Sequence, residues 1–387
     1  MTGGVDSILS EYHAEIERKS EKIFQMLDAL KESLGERPLV LYGRTTIIDL
    51  SILEILIEWN VPVKCFCDIA GLGGELGDIP IIDAQTLIND YADAIVVICP
   101  DINVNNSQNE LIISGFSPQQ IIPVEWSEFV IILQIILRKF QSLGRHIDRY
   151  YWAHDFFEDK ISKQTVLDRL RMYVHDIPME INSSCSQYFE DGYINLGERE
   201  IFADCGAHIG DSAIEFIKML DKAKGGYAHI YSFEPDSRNY ALAVKNTSKY
   251  PNVTVIPKGL WSTETELEFF EKNDTFGSSF AFKPGSTVIG NVIQHVPVTS
   301  LDIFFAGKPD SELPTFIKMD IEGSEKEALI GARDIIRRVK PKLAICAYHK
   351  LEDIYALPQT IMRIRDDYKF ALRQYQNGPY ETVLYAV

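Results

Sequence analysis

The chain has 387 residues, of which 46% are hydrophobic and 24% are charged. These proportions are typical of a folded protein with two or three domains. The formal net charge is −18, which argues against a nucleic-acid substrate because phosphate backbones are bound by clustered Lys and Arg. Six cysteines are scattered through a chain large enough to fold without disulfides, which indicates reduced thiols.

The beginning of the sequence lacks the basic and apolar regions of a secretory signal, so we expect a cytoplasmic protein. The longest apolar run extends from Phe129 to Leu137. It is far shorter than the roughly 20 residues that a membrane helix needs. We therefore expect a buried or interface helix there and no membrane span.

Residues 1–35 are predicted to form an N-terminal helix. Apolar residues recur every three or four positions from about Ile8 to Leu34, and Gly35 is a suitable end. The apolar stripe of this helix has to be covered, either by the next domain or by a second subunit in a homo-oligomer.

Residues 36–126 alternate between strand and helix patterns, which predicts a small parallel sheet with helices on its faces. The turn after the first strand has the single glycine Gly43 where a dinucleotide site would have three, which argues against NAD binding. Cys65 and Cys67 alternate on the second strand and would point to one face. The sequence supplies no further metal ligands beside them.

This segment resembles the small Rossmann-like domains that precede sugar acyltransferases and some sugar methyltransferases. The resemblance rests on Asp68 at the end of the second strand and on the loop from Gly71 to Ile82. It implies a nucleotide-sugar site, with a scaffold or oligomerisation role as the alternative.

Residues 127–187 are interpreted as a helical connector that is rich in aromatic and charged residues. Its second helix is predicted to be capped within Asp159 to Ser162, with Ser162 as the preferred N-cap. The aromatic residues suit packing between helices, and a lid beside an active site is the alternative interpretation.

Residues 188–387 carry the chemistry. An apolar strand ends at Asp204, and Gly206 and Gly210 lie before the next helix. Glycines let the backbone approach a ligand closely, and a helix N-terminus presents free N–H groups. A second strand ends at Glu234, where a carboxylate would bind the vicinal hydroxyls of a ribose. This pattern predicts a cofactor site.

Later strands complete the predicted sheet. A third strand is expected within NVTVIPKGLWS, a fourth ends before Asp320 and Glu322, and a fifth ends before Tyr348 and His349. The last two strands read as an antiparallel hairpin. The fold class is therefore α/β, with a mostly parallel sheet and an antiparallel C-terminal strand. Because parallel strands end at one edge, Asp320 and His349 are expected beside the cofactor.

Four motifs in order, DCGAHIGDS, FEPD, KMDIEGSE and AYHK, resemble the FkbM family of S-adenosylmethionine-dependent methyltransferases. The resemblance extends from about Tyr188 to Val387. It implies the class I methyltransferase fold, S-adenosylmethionine as the cofactor, and O-methylation of a sugar or a similar small-molecule hydroxyl acceptor. The cofactor contacts that it implies are Asp204, Gly206, His208, Gly210, Asp211, Ser212, Glu234, Gly259, Leu260 and Asp320.

An alcohol becomes a good nucleophile when its proton is removed, so the acceptor site needs a base. His349 is the preferred general base because histidine titrates near neutrality. Asp320 would orient the histidine, bind the acceptor or, with Glu322, ligate Mg²⁺. No metal is predicted, since a further oxygen ligand is not evident. Glu322, Tyr348 and Ser278, the last in a loop between strands, are expected to contact the acceptor.

Two other functions fit parts of the pattern. A glycine turn followed by an acid also describes NAD-dependent oxidoreductases, which would need a third glycine and a hydride-relay constellation. A non-catalytic protein whose N-terminal domain binds nucleotide-sugars is the second alternative.

Overall fold

The structure, a computed structural model, describes residues 3–43, 53, 56–57, 61–68, 73–76, 79–99, 104–122, 143–175, 177–270, 281–282 and 293–387. It contains two compact units. Asp6–Arg145 forms the N-terminal unit, and His146–Val387 together with the first five residues forms the C-terminal unit. The helix expected at Phe129 to Leu137 lies outside the described residues.

The N-terminal unit is built on a six-stranded sheet in the order β3-β4-β2-β1-β5-β6. All neighbouring strands are parallel except β3, which is antiparallel to β4. Its described elements are α1 (Gly3–Leu34), β1 (Leu39–Gly43), β2 (Val63–Asp68), β3 (Gly74–Leu76), β4 (Ile79–Ile82), α2 (Ala84–Asp90), β5 (Ile95–Ile98), α3 (Val104–Ile113) and β6 (Ile121–Ile122).

Both faces of this sheet are covered, as the apolar strands predict. Phe66 packs in a cluster with Leu30 and Leu34 of α1, whereas Cys65 and Cys67 pack in a second cluster. Both cysteines are free, and burial raises the pKa of Cys65 to about 11 and that of Cys67 to about 12. The predicted second α/β domain is therefore confirmed, and its thiols serve as core residues.

The C-terminal unit contains a seven-stranded sheet in the order β16-β17-β15-β14-β7-β8-β9. Strand β17 is antiparallel to both of its neighbours and the other pairs are parallel. Its described elements are α4 (Ile147–Phe156), α5 (Lys160–His175), β7 (Glu200–Cys205), α6 (Asp211–Ala223), β8 (Tyr227–Phe233), α7 (Ser237–Thr247), β9 (Val253–Ile256), β10 (Gly259–Leu260), β11 (Thr265–Phe270), β12 (Ala281–Phe282), β13 (Ile293–Thr299), α8 (Leu301–Phe304), β14 (Phe316–Met319), α9 (Glu325–Ile330), α10 (Arg333–Val339), β15 (Lys342–Cys346), α11 (Asp353–Ile364), β16 (Phe370–Gln374) and β17 (Thr382–Ala386).

Aromatic residues fill the core beneath this sheet. Phe202 of β7 stacks on Phe216 of α6 with ring centroids 4.3 Å apart, and Phe316 of β14 lies 5.0 Å from Phe202. All three rings are fully buried. Burial of this kind stabilises the unit by about 1.5–3 kcal/mol per large side chain, so the carboxyl ends of β7 and β14 rest on a rigid base.

The chain leaves the large sheet earlier than the sequence suggests. The third predicted strand is divided: β9 ends at Ile256, and β10 pairs with β13 in a separate four-stranded sheet. Pro257 stands between the two pieces and has no N–H to extend the first ladder.

The preference for Ser162 as the N-cap of α5 was wrong. The helix begins at Lys160, and Asp159 caps it by accepting the N–H of Ser162 at 2.9 Å. An aspartate accepts from the third helical residue as well as a serine does. Ser162 itself is buried and accepts the N–H of Leu372 in β16 at 2.8 Å, which ties α5 to the edge of the sheet.

Among the described helices, none combines the length and the apolar character needed to cross a membrane.

Candidate active site

The turn after β7 passes directly beneath the end of β14. Gly206 has φ +84°, and a Cβ added there would lie 1.8 Å from the carbonyl oxygen of Asp320. The N–H groups of Gly206 and Ala207 donate to the carbonyl of Phe233 at the end of β8. Glycine is therefore required at 206, and the turn joins the ends of three strands.

A second glycine sets the start of α6. Gly210 has φ +87°, and a Cβ there would lie 3.0 Å from Cγ2 of Thr247 and 3.3 Å from Cα of Ala243 in α7. Asp211 begins α6 and His208 stands in the turn before it, with their side chains 67% and 59% exposed. The first turn of α6 thus remains open to solvent at the place where the sequence predicted a ligand.

Asp204, predicted as a cofactor contact, is fully buried inside the turn. One carboxylate oxygen accepts from Ser212 at 2.8 Å, and the other lies 3.3 Å from Nζ of Lys318, its partner across β7 and β14. Lys318 also donates to the carbonyl of Gly206 at 2.6 Å. Burial raises the pKa of Asp204, although Lys318 opposes that rise. The pair therefore holds the glycine turn from below.

Glu234 stands at the end of β8 with only 6% of its surface exposed. Its Oε2 accepts the N–H of His208 at 2.7 Å and its Oε1 accepts the N–H of Asp236 at 3.0 Å. Burial raises the pKa of Glu234 to about 7, although both N–H groups lower it. The carboxylate is held in one orientation, and each oxygen keeps a lone pair for a ligand.

Gly259 and Leu260 form β10 of the small sheet. A Cβ at Gly259 would lie 3.0 Å from Cγ1 of Val298 and 3.6 Å from Cβ of Pro235, the residue after Glu234. The start of β10 therefore lies beside the end of β8, whereas the side chain of Leu260 is buried.

The adjacent strands β14 and β15 bring Asp320 and His349 together. Nε2 of His349 is 3.6 Å from Oδ1 of Asp320. Asp320 also accepts from the hydroxyls of Tyr188, at 2.9 Å, and Tyr348, at 3.1 Å. Burial raises the pKa of Asp320, but the positive charges of Lys318 and His349 lower it by more. The net shift of this pKa is therefore downward.

His349 is surrounded by three carboxyl groups. Its Nδ1 is 3.0 Å from Oε1 of Glu325, and its Nε2 is 3.4 Å from Oε2 of Glu322. Burial lowers the pKa of the imidazole, but the nearby carboxylates of Glu325, Asp320 and Glu322 raise it to about 9. The carboxylates therefore favour the protonated form of the ring, which has to lose a proton before it can act as a base. We call Asp320, Glu322, Glu325 and His349 the acid–histidine cluster.

Three residues of the site were not singled out from the sequence as functional. Lys318 sits as a lone charge within an apolar strand, and Glu325 follows Asp320 by five positions; both patterns are visible in KMDIEGSE. Tyr188 gave no such signal, because its contact with Asp320 spans 132 positions. Ser278, predicted to contact the acceptor, lies outside the described residues.

The sheet order, the antiparallel β17, the glycine turn after β7 and the acid at the end of β8 define a Rossmann-like fold of the methyltransferase class. Residues 204–370 match the family model of the methyltransferase FkbM domain. This part of the chain is therefore similar to the methyltransferase FkbM domain. The matched segment leaves out the N-terminal unit, whose resemblance to sugar acyltransferase domains stays a prediction.

A solved structure agrees on the fold. The chain is similar to a crystal structure of methyltransferase FkbM from Methylobacillus flagellatus, with a TM-score of 0.53, 21% identity, and coverage of 99% of this chain and 100% of that one. A fibrillarin of Aeropyrum pernix with natively bound S-adenosyl-L-methionine matches 51% of this chain and 70% of its own, with a TM-score of 0.32 and 13% identity. No curated protein matches the sequence significantly.

Proposed function

We propose that the C-terminal unit transfers the methyl group of S-adenosylmethionine to a hydroxyl oxygen of a sugar-like or similar small-molecule acceptor. One observation carries the proposal: Gly206 of the predicted cofactor turn touches Asp320 of the acid–histidine cluster. A donor held on the first and an acceptor held at the second would be neighbours.

The residues of the cofactor side fit this molecule. Glu234 offers an oriented carboxylate for the ribose hydroxyls, and the open start of α6 at Asp211 offers N–H groups for the carboxylate end of the methionine part. The hydroxyl of Ser212 is already bonded to Asp204, so its backbone N–H is the group left for the ligand. Gly259 would lie near the adenine.

When bound, the cofactor supplies a methyl carbon already activated by the positive sulfur. The protein has to place the acceptor oxygen in line with that carbon at about 3 Å. The cofactor would leave as S-adenosylhomocysteine after giving up its methyl group, and the acceptor hydroxyl would lose its proton to a base of the protein. Asp320 and His349 are the groups assigned to that proton, and His349 would accept it in its neutral form, whose share grows as the pH approaches the imidazole pKa of about 9. Tyr348 and Glu322 would contact the acceptor.

The acceptor side favours a neutral polyol. The acid–histidine cluster places three carboxyl groups within 3.6 Å of one imidazole, and the whole chain has a formal charge of −18. An anionic acceptor would be repelled by these carboxylates, whereas sugar hydroxyls can donate hydrogen bonds to them.

The test is an assay of the full chain with S-adenosylmethionine and a panel of neutral sugars, with sugar nucleotides as the anionic comparison. We expect release of S-adenosylhomocysteine and an acceptor product that is heavier by one methylene group in mass spectrometry. Binding of NAD(H) but not of S-adenosylmethionine in calorimetry would favour the oxidoreductase alternative. Binding of sugar nucleotides without any methyl transfer would favour the non-catalytic alternative.

A further inference from the structure

The acid–histidine cluster contains buried polar atoms that lack partners. The side chain of His349 is only 6% exposed, and neither ring nitrogen makes a hydrogen bond of acceptable geometry with any described residue. Oε2 of Glu325, whose side chain is 1% exposed, also has no hydrogen-bond partner among the described residues. Buried polar atoms in native proteins are nearly always satisfied, so these atoms point to a ligand that binds beside them.

Two carboxylates approach Nε2 of His349 at nearly the distance that separates ligands of one ion. Nε2 of His349 lies 3.6 Å from Oδ1 of Asp320 and 3.4 Å from Oε2 of Glu322. Nitrogen and oxygen ligands bound at about 2.1 Å, with tetrahedral or octahedral angles, are separated by about 3.0–3.4 Å. Each carboxylate could therefore share an ion with Nε2 of His349 after a small shift toward it.

Glu325 supplies the support that a metal-bound histidine needs. Its Oε1 lies 3.0 Å from Nδ1, the nitrogen on the other side of the ring. The same oxygen accepts the N–H groups of Ile321 and Gly323, so the carboxylate is fixed. Histidines that bind metals usually donate their second N–H to such a carboxylate, which sets the orientation of the ring.

We propose that Asp320, Glu322 and His349 bind a divalent cation of the Mn²⁺ type, and that Glu325 holds the imidazole in position. Two carboxylate oxygens and one imidazole nitrogen suit such an ion. The sequence had suggested only Asp320 and Glu322 as ligands, and had assigned His349 to proton transfer.

The catalytic role of this cation rests on the proposed function, whereas the binding of the cation does not. Three protein ligands leave coordination positions for an oxygen of the acceptor. A hydroxyl bound to a cation is more acidic than a free one, so its proton can pass to water as the methyl group arrives.

A competing arrangement shares one residue with this site. Atoms of Asp320, Glu325 and His349 lie within 4.8 Å of one another, and so do atoms of Asp320, Cys346 and Glu381. A thiolate would favour a softer ion than Mn²⁺. Substitution of Asp320 affects both arrangements. His349 and Cys346 are therefore the positions that separate them.

The experiment is a titration of the chelator-treated full chain with Mn²⁺, in the absence of S-adenosylmethionine, followed by the paramagnetic resonance signal of free Mn²⁺. We expect one ion per chain in the parent and no detectable binding in His349→Gln. Glu325→Gln should weaken binding about 10–100-fold, the usual effect of losing such a support. Cys346→Ala should bind like the parent.

His154→Gln is the matched control, because His154 also faces a carboxylate, that of Asp155 at 3.4 Å, but outside the cluster. It should bind like the parent. Circular dichroism checks the fold of each variant. Should His349→Gln fail to fold, Glu322→Gln decides, because this side chain is 41% exposed and its loss should weaken Mn²⁺ binding by at least about tenfold.

Absence of binding in the parent, or undiminished binding in a folded His349→Gln or Glu322→Gln, overturns the inference. Its failure is distinguishable from that of the proposed function. Methyl transfer that proceeds equally with and without Mn²⁺ removes the cation but keeps the enzyme. Mn²⁺ binding that depends on His349, without methylation of any acceptor, keeps the cation site but removes the proposed methyltransferase function.

Discussion

The carbonyl oxygen of Asp320 occupies the space where a side chain of residue 206 would begin, 1.8 Å from an ideal Cβ. We predict that Gly206→Ala destabilises the C-terminal unit by at least about 4 kcal/mol, the range associated with severe local disruption. Gly192→Ala is the matched control, because Gly192 has φ +82° and nothing within 4 Å of its Cβ. It should lose only about 1–2 kcal/mol, the cost of a left-handed alanine. Urea unfolding followed by circular dichroism gives both values, and equal losses would contradict the steric argument.

Removal of the Glu234 carboxylate should weaken cofactor binding. We expect Glu234→Gln to bind S-adenosylmethionine about 10–100-fold less tightly, since a hydrogen bond to a charged group contributes about 1.5–3 kcal/mol. Isothermal calorimetry measures the change, with the exposed Glu264→Gln as the control. An unaltered dissociation constant in Glu234→Gln would remove this residue from the cofactor site.

The pH dependence of the same binding follows from the pKa of Glu234. Burial raises this pKa to about 7, so the carboxylate is ionised above that pH and protonated below it. Since the ionised form is the better acceptor of ribose hydroxyls, affinity for S-adenosylmethionine should rise between pH 6 and 8. The rise should be absent in Glu234→Gln, and its persistence there would assign the dependence to another group.

The buried pair Lys318 and Asp204 gives a prediction on stability. Lys318→Met leaves the carboxylate of Asp204 in a fully buried position without its cation, which should cost about 3–5 kcal/mol. The double variant Lys318→Met with Asp204→Asn removes both charges and should recover part of that loss. Lys218→Met breaks an exposed pair with Glu215 and should change stability by less than about 1 kcal/mol. Urea unfolding of the parent and these three variants tests whether the loss of stability in Lys318→Met comes from the unpaired charge of Asp204.

The role of His349 can be separated from cofactor binding. We expect His349→Ala to bind S-adenosylmethionine with the affinity of the parent and to lower turnover at least about 100-fold, because it acts on the acceptor side. His295→Ala, at an exposed position of β13, should leave turnover unchanged. Calorimetry and a single-turnover assay measure the two quantities. Normal turnover in His349→Ala would exclude this histidine from the mechanism.

The sequence alone determined the two α/β units and the ends of most strands. Apolar runs that stop at Asp204, Glu234 and Asp320 indicate buried parallel strands, because both faces of such strands lie in the core. The polar residue that follows each run therefore marks the edge where ligands bind. The motif resemblance then indicated the family to which residues 204–370 were matched.

Local sequence patterns gave the wrong prediction where the sequence suited two local structures equally well. Asp159 and Ser162 are both suitable N-caps, and only the packing of α5 on β16 buries Ser162 against Leu372. Likewise, the run from Val253 to Leu260 reads as one strand. Its division depends on the partner that β10 finds in β13.

Only the tertiary structure decided which side chains meet. Lys318 pairs with Asp204, and Glu325 with His349, because β14 lies between β7 and β15 in the sheet. Spacing along the chain predicts helices, strands and burial, since these follow from the period of the backbone. The order of strands in a sheet depends on contacts between distant segments, so the partners within the acid–histidine cluster could not be predicted from local patterns.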